Sequence, residues 1–138
     1  MRIFNSTSGD PMLLDTAQGL RSLQDAFGAF LSSPHSAASF EAATRGSPAP
    51  YDEFLLGLRV SKGGTAQLQL AKDGWLELSG AHEDLLAFHQ LLAPAAGDHL
   101  HWYCQPVSLI IEADDTGPGM RANSSFEADG YAAAQLKR

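Results

Sequence analysis

The stretch Leu68-Gln-Leu-Ala-Lys-Asp-Gly-Trp-Leu-Glu-Leu-Ser-Gly80, the leucine-rich segment that follows it, and His99-Leu-His-Trp-Tyr-Cys104 together decide the fold. Leu68 and Leu70 alternate with Gln67 and Gln69, and Leu76 and Leu78 alternate with Trp75, Glu77 and Ser79. A period of two is a strand with one buried face. Between these runs lies Lys72-Asp73-Gly74, and Asp-Gly readily takes the positive φ that a tight hairpin demands. Upstream, Phe54, Leu56, Leu58 and Val60 alternate over residues 53–61, and Lys62-Gly63-Gly64 is a second turn signal. The pattern predicts a three-stranded antiparallel meander over 53–61, 65–71 and 75–79.

Downstream of Ser79-Gly80, Glu83 and Asp84 occupy a first helical turn, where negative charge meets the helix dipole favourably. Leu85, Phe88 and Leu92 share a face, which predicts a helix over 82–92 that stops before Pro94. From His99 to Cys104, Leu100, Trp102 and Cys104 point inward and His99, His101 and Tyr103 outward. A last strand runs over 107–113, and its run Leu109-Ile110-Ile111 implies contacts on both faces.

Upstream of the meander, Arg2 to Phe4 is at most a stray edge strand. Asp10-Pro11 has the chemistry of a helix start, and Leu13, Ala17, Leu20, Leu23, Phe27 and Phe30 form one apolar stripe. A helix over 11–31 follows, weakened at Gly19 and Gly28. Residues 32–50 are rich in Ser, Ala and Pro and read as a linker-like excursion, with Phe40 anchoring a short helical turn at most. Residues 114–138 read as a mobile tail, with a short helix over 132–137 as its one candidate element. No internal repeat is visible in the sequence. The expectation is one α+β domain over 1–113: an antiparallel sheet of about five strands, in the chain order α-β-β-β-α-β-β, with helices packed on one face.

With 138 residues, one domain is the default, and a chain of this length buries roughly two-thirds of its unfolded surface, enough for a core. Cys104 is the single cysteine, so no intramolecular disulfide forms, which favours a reducing compartment. No signal-peptide pattern and no apolar run near the roughly 20 residues of a membrane span is present, so a soluble, cytoplasmic protein is expected. The net charge is −7, and no Lys or Arg occurs from Asp73 to Met120. Such a surface repels nucleic acid and attracts a basic protein. The outer sheet face is expected to hold Gln67, Gln69, Trp75, Glu77, His99, His101 and Tyr103.

Three constellations bear on chemistry. His99 and His101 lie about 7 Å apart along one strand face and suit metal ligation with His82, His89, Asp98 or Cys104. Cys104, however, falls on the opposite face, and His82 and His89 belong to a separate helix. Cys104 with a histidine is a conceivable nucleophile pair, but an inward Cys beside Trp102 is more simply a small apolar residue. Glu83-Asp84 and Asp114-Asp115 are neighbours in sequence, unlike acid–base pairs that face a substrate across a cleft. Trp75, beside Glu77, is placed as a binding anchor.

Gly57-Leu-Arg-Val, Leu68-Gln-Leu, Gly74-Trp-Leu-Glu-Leu-Ser-Gly, Leu85 to Leu92 and Gly97-Asp-His-Leu-His-Trp-Tyr together resemble a family of small immunity proteins from bacterial polymorphic-toxin systems. A strand ending leucine–x–isoleucine/leucine–x–glycine, a leucine-rich helix and a histidine–leucine–histidine strand recur there. They stand here as Leu76 to Gly80, Leu85 to Leu92 and His99 to Tyr103, within a likeness spanning about residues 53–112. The chain departs from the pattern at its shortened end, where Gln105-Pro106-Val107 joins the last two strands directly. The resemblance implies a protein without catalytic residues or cofactor that occludes a cognate toxin. The expected contact residues are Asp73, Trp75, Glu77, Glu83, Asp84, Asp98, His99, His101 and Tyr103. A metal- or cysteine-dependent hydrolase and an acidic adaptor or secretion chaperone are the alternatives.

Overall fold

The computed structural model describes residues 1–114 and the backbone of 135–137. The described chain is α+β, with two helices and two sheets around one apolar core. It runs β1 (Arg2–Ser6), β2 (Gly9–Asp15), α1 (Ala17–Ser32), β3 (Ala37–Glu41), β4 (Glu53–Leu55), β5 (Gly57–Lys62), β6 (Gln67–Leu70), β7 (Leu76–Gly80), α2 (His82–Leu91), β8 (His99–Trp102), β9 (Leu109–Ala113) and β10 (Gln135–Lys137). The first sheet has the order β4-β1-β2-β9-β8 and the second β10-β3-β5-β7-β6.

The helix expected from Pro11 begins instead at Ala17, capped by Thr16, whose Oγ1 accepts from the Gly19 amide at 3.0 Å. Met12 to Asp15 form a strand because they fit between β1 and β9, with alternate residues buried. Pro11 falls at the register break between the Phe4–Met12 and Ser6–Gly9 pairs, where a missing N–H costs little. The helical stripe downstream is real: Leu20, Leu23, Phe27 and Phe30 are fully buried.

The segment expected to be a linker contributes β3, whose Phe40 is fully buried and stacks on Phe27 with centroids 5.8 Å apart. The strand expected over 53–61 is two strands. The chain leaves the first sheet after Leu55, exposes Leu56, and enters the second sheet at Gly57. That crossing shifts the side-chain parity, so Leu55 is buried together with Leu58 and Val60. The meander is also rearranged. β7 lies between β5 and β6, parallel to the first and antiparallel to the second. Lys62-Gly63-Gly64 is a turn between strands that are not neighbours, and the Gly63 amide bonds Gly80 O at 2.7 Å. One antiparallel sheet of about five strands is thus two sheets, each with one parallel pair, and the helices pack against their inner faces. The tail expected over 114–138 lies outside the described residues, apart from Asp114 and β10. Residues 135–137 pair antiparallel with β3, where a helix over 132–137 was the candidate.

A repetition unseen in the sequence emerges. The hairpin β1–β2 is followed by α1 and then β3 and β5; the hairpin β6–β7 is followed by α2 and then β8 and β9. Each half sends its last two strands to the other half's hairpin, so β5 runs parallel to β7 and β9 parallel to β2. The correspondence extends to the connections. β4, between β3 and β5, pairs with β1, and Gln105 to Val107, between β8 and β9, bond the edge of β6 at Leu68. Two ββαββ units are interlocked by strand exchange.

Candidate functional site

Strand alternation sends one side chain in two of each strand out of the core, so each sheet has an outer face. On the first sheet, registers align Phe54, Phe4, Met12, Ile110 and His101 in one row across all five strands. A second row holds Arg2, Leu14, Glu112 and His99. Tyr51 lies over the first row, stacked on Phe4 with centroids 4.7 Å apart, and its hydroxyl donates to Met12 Sδ at 3.4 Å. Burial, and then the nearby Glu112 carboxylate, push the Tyr51 hydroxyl above its ordinary range, so it stays a neutral donor. Arg2 covers the Phe54 ring, its guanidinium carbon 5.7 Å from the centroid.

The imidazoles of His99 and His101 are 5.3 Å apart, and Tyr103 stacks on His101 at 5.5 Å. Tyr103 is 79% exposed. The face is therefore a band of half-buried Tyr51, Phe54, Met12 and Ile110 around a buried Phe4, running on to His101 and the exposed Tyr103, with Arg2 and Glu112 in its second row. It offers stacking, apolar contact and cation–π attraction to an incoming Arg or Lys.

The second sheet's outer face is built round Arg59. Its guanidinium holds Asp73 through two bonds of 2.9 Å and reaches Glu77 at 3.1 Å, while lying 5.2 Å above the Trp75 ring. Gln69 donates to Glu77 at 3.3 Å. Trp75 packs against Gly57, where any added Cβ would overlap both the indole and the Phe40 carbonyl. Beside this cluster is a hollow of about 260 Å³ lined by Ala37, Ser39, Ser61, Ser79, Gln67 and Glu77 among others.

The Arg59 hydrogen bonds hold the Asp73 carboxyl below its ordinary range, and Asp73 in turn raises Arg59. A carboxyl with a depressed folded pKa stabilises the fold above its unfolded pKa, and that contribution is lost as pH falls through the folded value. In an NMR titration, Arg59→Ala is expected to move the Asp73 midpoint upward, towards the ordinary carboxyl range. An unmoved midpoint would show that the ion pair does not form in solution.

These placements correct the expected single contact face. Asp73, Trp75 and Glu77 belong to the second sheet's outer side, and His99, His101 and Tyr103 to the first sheet's. Asp73 and Glu77 are engaged by Arg59 and are not bare carboxylates awaiting a basic partner. Asp84 accepts from the Ala81 amide at 3.3 Å, so its role is to cap α2. Glu83 and Asp98 are exposed and have no salt-bridge partner among the described residues. Phe4, Tyr51, Phe54, Met12 and Ile110 were not singled out from sequence. The one signal for them was the triple Leu109-Ile110-Ile111, which is apolar at both parities.

Cys104 packs against the core as its parity predicted, with Sγ 3.8 Å from Gln105 O. His82 is exposed on α2, and His89 stacks on Phe27 at 6.2 Å in the contact between helices, where Gly28 leaves room for its ring. Among the described residues no three His, Cys, Asp or Glu side chains come together as a metal site. No described helix is long and apolar enough to cross a membrane. No family model, no curated protein and no solved structure matches this chain.

Proposed function

We propose that this chain is a non-catalytic binding protein of the immunity type, which neutralises a cognate toxin by seating the outer face of its first sheet over it. The observation that carries this reading is the unbroken row Phe54–Phe4–Met12–Ile110–His101, flanked by Tyr51 and Tyr103. A contiguous apolar band on a sheet marks an interaction surface, and aromatic residues dominate binding energy at such surfaces. The net charge of −7 and the exposed carboxylates of Glu83 and Asp98, which have no salt-bridge partner among the described residues, supply attraction for a basic toxin. Trp75 and the Arg59 cluster are then scaffold on the opposite sheet and not anchors. The setting is the cytoplasm of a bacterium, the mechanism is occlusion, and no cofactor takes part.

Co-expression of this chain with the product of the neighbouring reading frame in a bacterial host tests the reading. Rescue from the neighbour's toxicity is expected. Tyr103→Ala and Ile110→Asp, both at positions outside the core, should keep the fold and each weaken the complex by roughly 30-fold or more. A neighbour that is harmless alone, or equally lethal with this protein present, would overturn it.

A further inference from the structure

We infer that β8 is a self-association edge, and that a second copy of this chain adds its own β8 antiparallel to it, joining two first sheets into one continuous sheet. This inference stands on the strand edge and is independent of the toxin reading.

β8 is an outermost strand of the first sheet, with β9 as its sole sheet neighbour among the described residues. The Ala113 amide donates to Asp98 O at 3.0 Å and the Gly97 amide to Ala113 O at 2.8 Å, which fixes the phase of the ladder. Alternation then aims the peptide groups of Leu100 and Trp102 at β9, and those of His99 and His101 away from it. Folded monomers blunt such an edge with lysine, proline, a bulge or an inward charge. The sequence His99-Leu-His-Trp102 has no lysine or proline, and its register against β9 is unbroken.

The fold itself indicates that this position takes a strand. In the interlocked halves β8 corresponds to β3, because each follows its helix and pairs antiparallel with the next strand. The free side of β3 is occupied by β10, added antiparallel. The free side of β8 carries no strand among the described residues.

Self-complementarity selects the occupant. Pairing about Leu100 sets His99 opposite His101 of the partner subunit, and each such pair exchanges both of its backbone hydrogen bonds. Asp98 then faces Trp102 of the partner subunit, so no two carboxylates are opposed. The ring ladder His99–His101–Tyr103 meets its own copy across the seam. The edge is short, so the dimer is weak and forms with rising concentration, over about 10 μM to 1 mM.

Sedimentation of the full chain across that range is the test, with amide hydrogen exchange read alongside it. The expected result is a doubling of mass accompanied by protection of the His99 and His101 amides. The Leu100 and Trp102 amides, bonded to β9, should be protected at every concentration. The double substitution His99→Lys, His101→Lys places like charges across the seam and should leave the protein folded by circular dichroism but monomeric throughout. A wild-type chain that stays monomeric at 1 mM, a dimer that survives the double substitution, or protection that arises elsewhere would each overturn the proposal.

Discussion

Phe27→Ala is expected to lower the unfolding free energy by about 3–5 kcal/mol, the range for deleting a fully enclosed aromatic ring. Phe27 is fully buried and stands where α1, α2 and β3 meet. Its ring contacts Phe88 at 5.4 Å, Phe40 at 5.8 Å, His89 at 6.2 Å and Phe30 at 6.3 Å between centroids. These partners come from both interlocked halves, so a void here loosens each half's grip on the other. Little can collapse to fill it, because Phe40 is fixed by the β3 ladder and Phe88 by α2. For a chain of this size the loss corresponds to a fall of about 10–20 °C in Tm. A urea melt giving less than about 1 kcal/mol would show that the cluster repacks around the gap.

Asp15→Ala is expected to cost a similar amount, about 3–5 kcal/mol, for an electrostatic reason. The Asp15 carboxylate has no solvent exposure, and its Oδ2 lies 3.0 Å from the Met1 amino group, which is equally buried. Oδ1 accepts from the Thr16 amide at 2.8 Å, directly before the first turn of α1. The side chain thus places negative charge inside the fold, against an ammonium and the positive end of a helix. Alanine withdraws that charge and leaves the ammonium in the same enclosed surroundings. Asp15→Asn keeps the shape while removing the charge, and its loss should fall between wild type and alanine. Chemical denaturation of the three proteins at pH 7 provides the comparison, and equal stability of wild type and Asp15→Ala would refute the electrostatic account. Gly19 belongs to the same arrangement, since a side chain there would overlap the Asp15 carboxylate.

The parts legible in sequence were those governed by local periodicity. α2 and the inward–outward order of His99 to Trp102 follow from spacing alone, and the structure keeps both. The parts that failed depend on pairing across long separations. Met12 to Asp15 carry leucines at spacings that suit a helix as well as a strand, and only the presence of β1 and β9 on either side selects the strand. Leu55-Leu56 looks like a flaw in an alternating strand; it is the crossing from one sheet to the other. Ala37 to Glu41 are weak strand formers by composition, held in place by β5 and by the burial of Phe40. The candidate surface was half visible. His99, His101 and Tyr103 follow from parity, whereas Phe4, Met12 and Phe54 join them only through inter-strand registers that no local pattern encodes. The acidic residues were read correctly as a tally and wrongly as a face, because the absence of Lys and Arg from the stretch after Lys72 hides Arg59, which reaches in from β5 to bind Asp73 and Glu77.

Strand exchange between the halves also sets a schedule for synthesis. β2 leaves the ribosome early, yet its parallel neighbour β9 is made last among the strands of the first sheet, with Met12 awaiting Ile110 and Leu13 awaiting Ile111. Until then β2 is paired on its β1 side alone, and Leu109, Ile111 and Ala113 are missing from the core. The outer row Phe54–Phe4–Met12–Ile110–His101 assembles only once translation has passed Ala113, so a stalled or clipped product ending short of β9 would carry the N-terminal hairpin and both helices but an incomplete outer face.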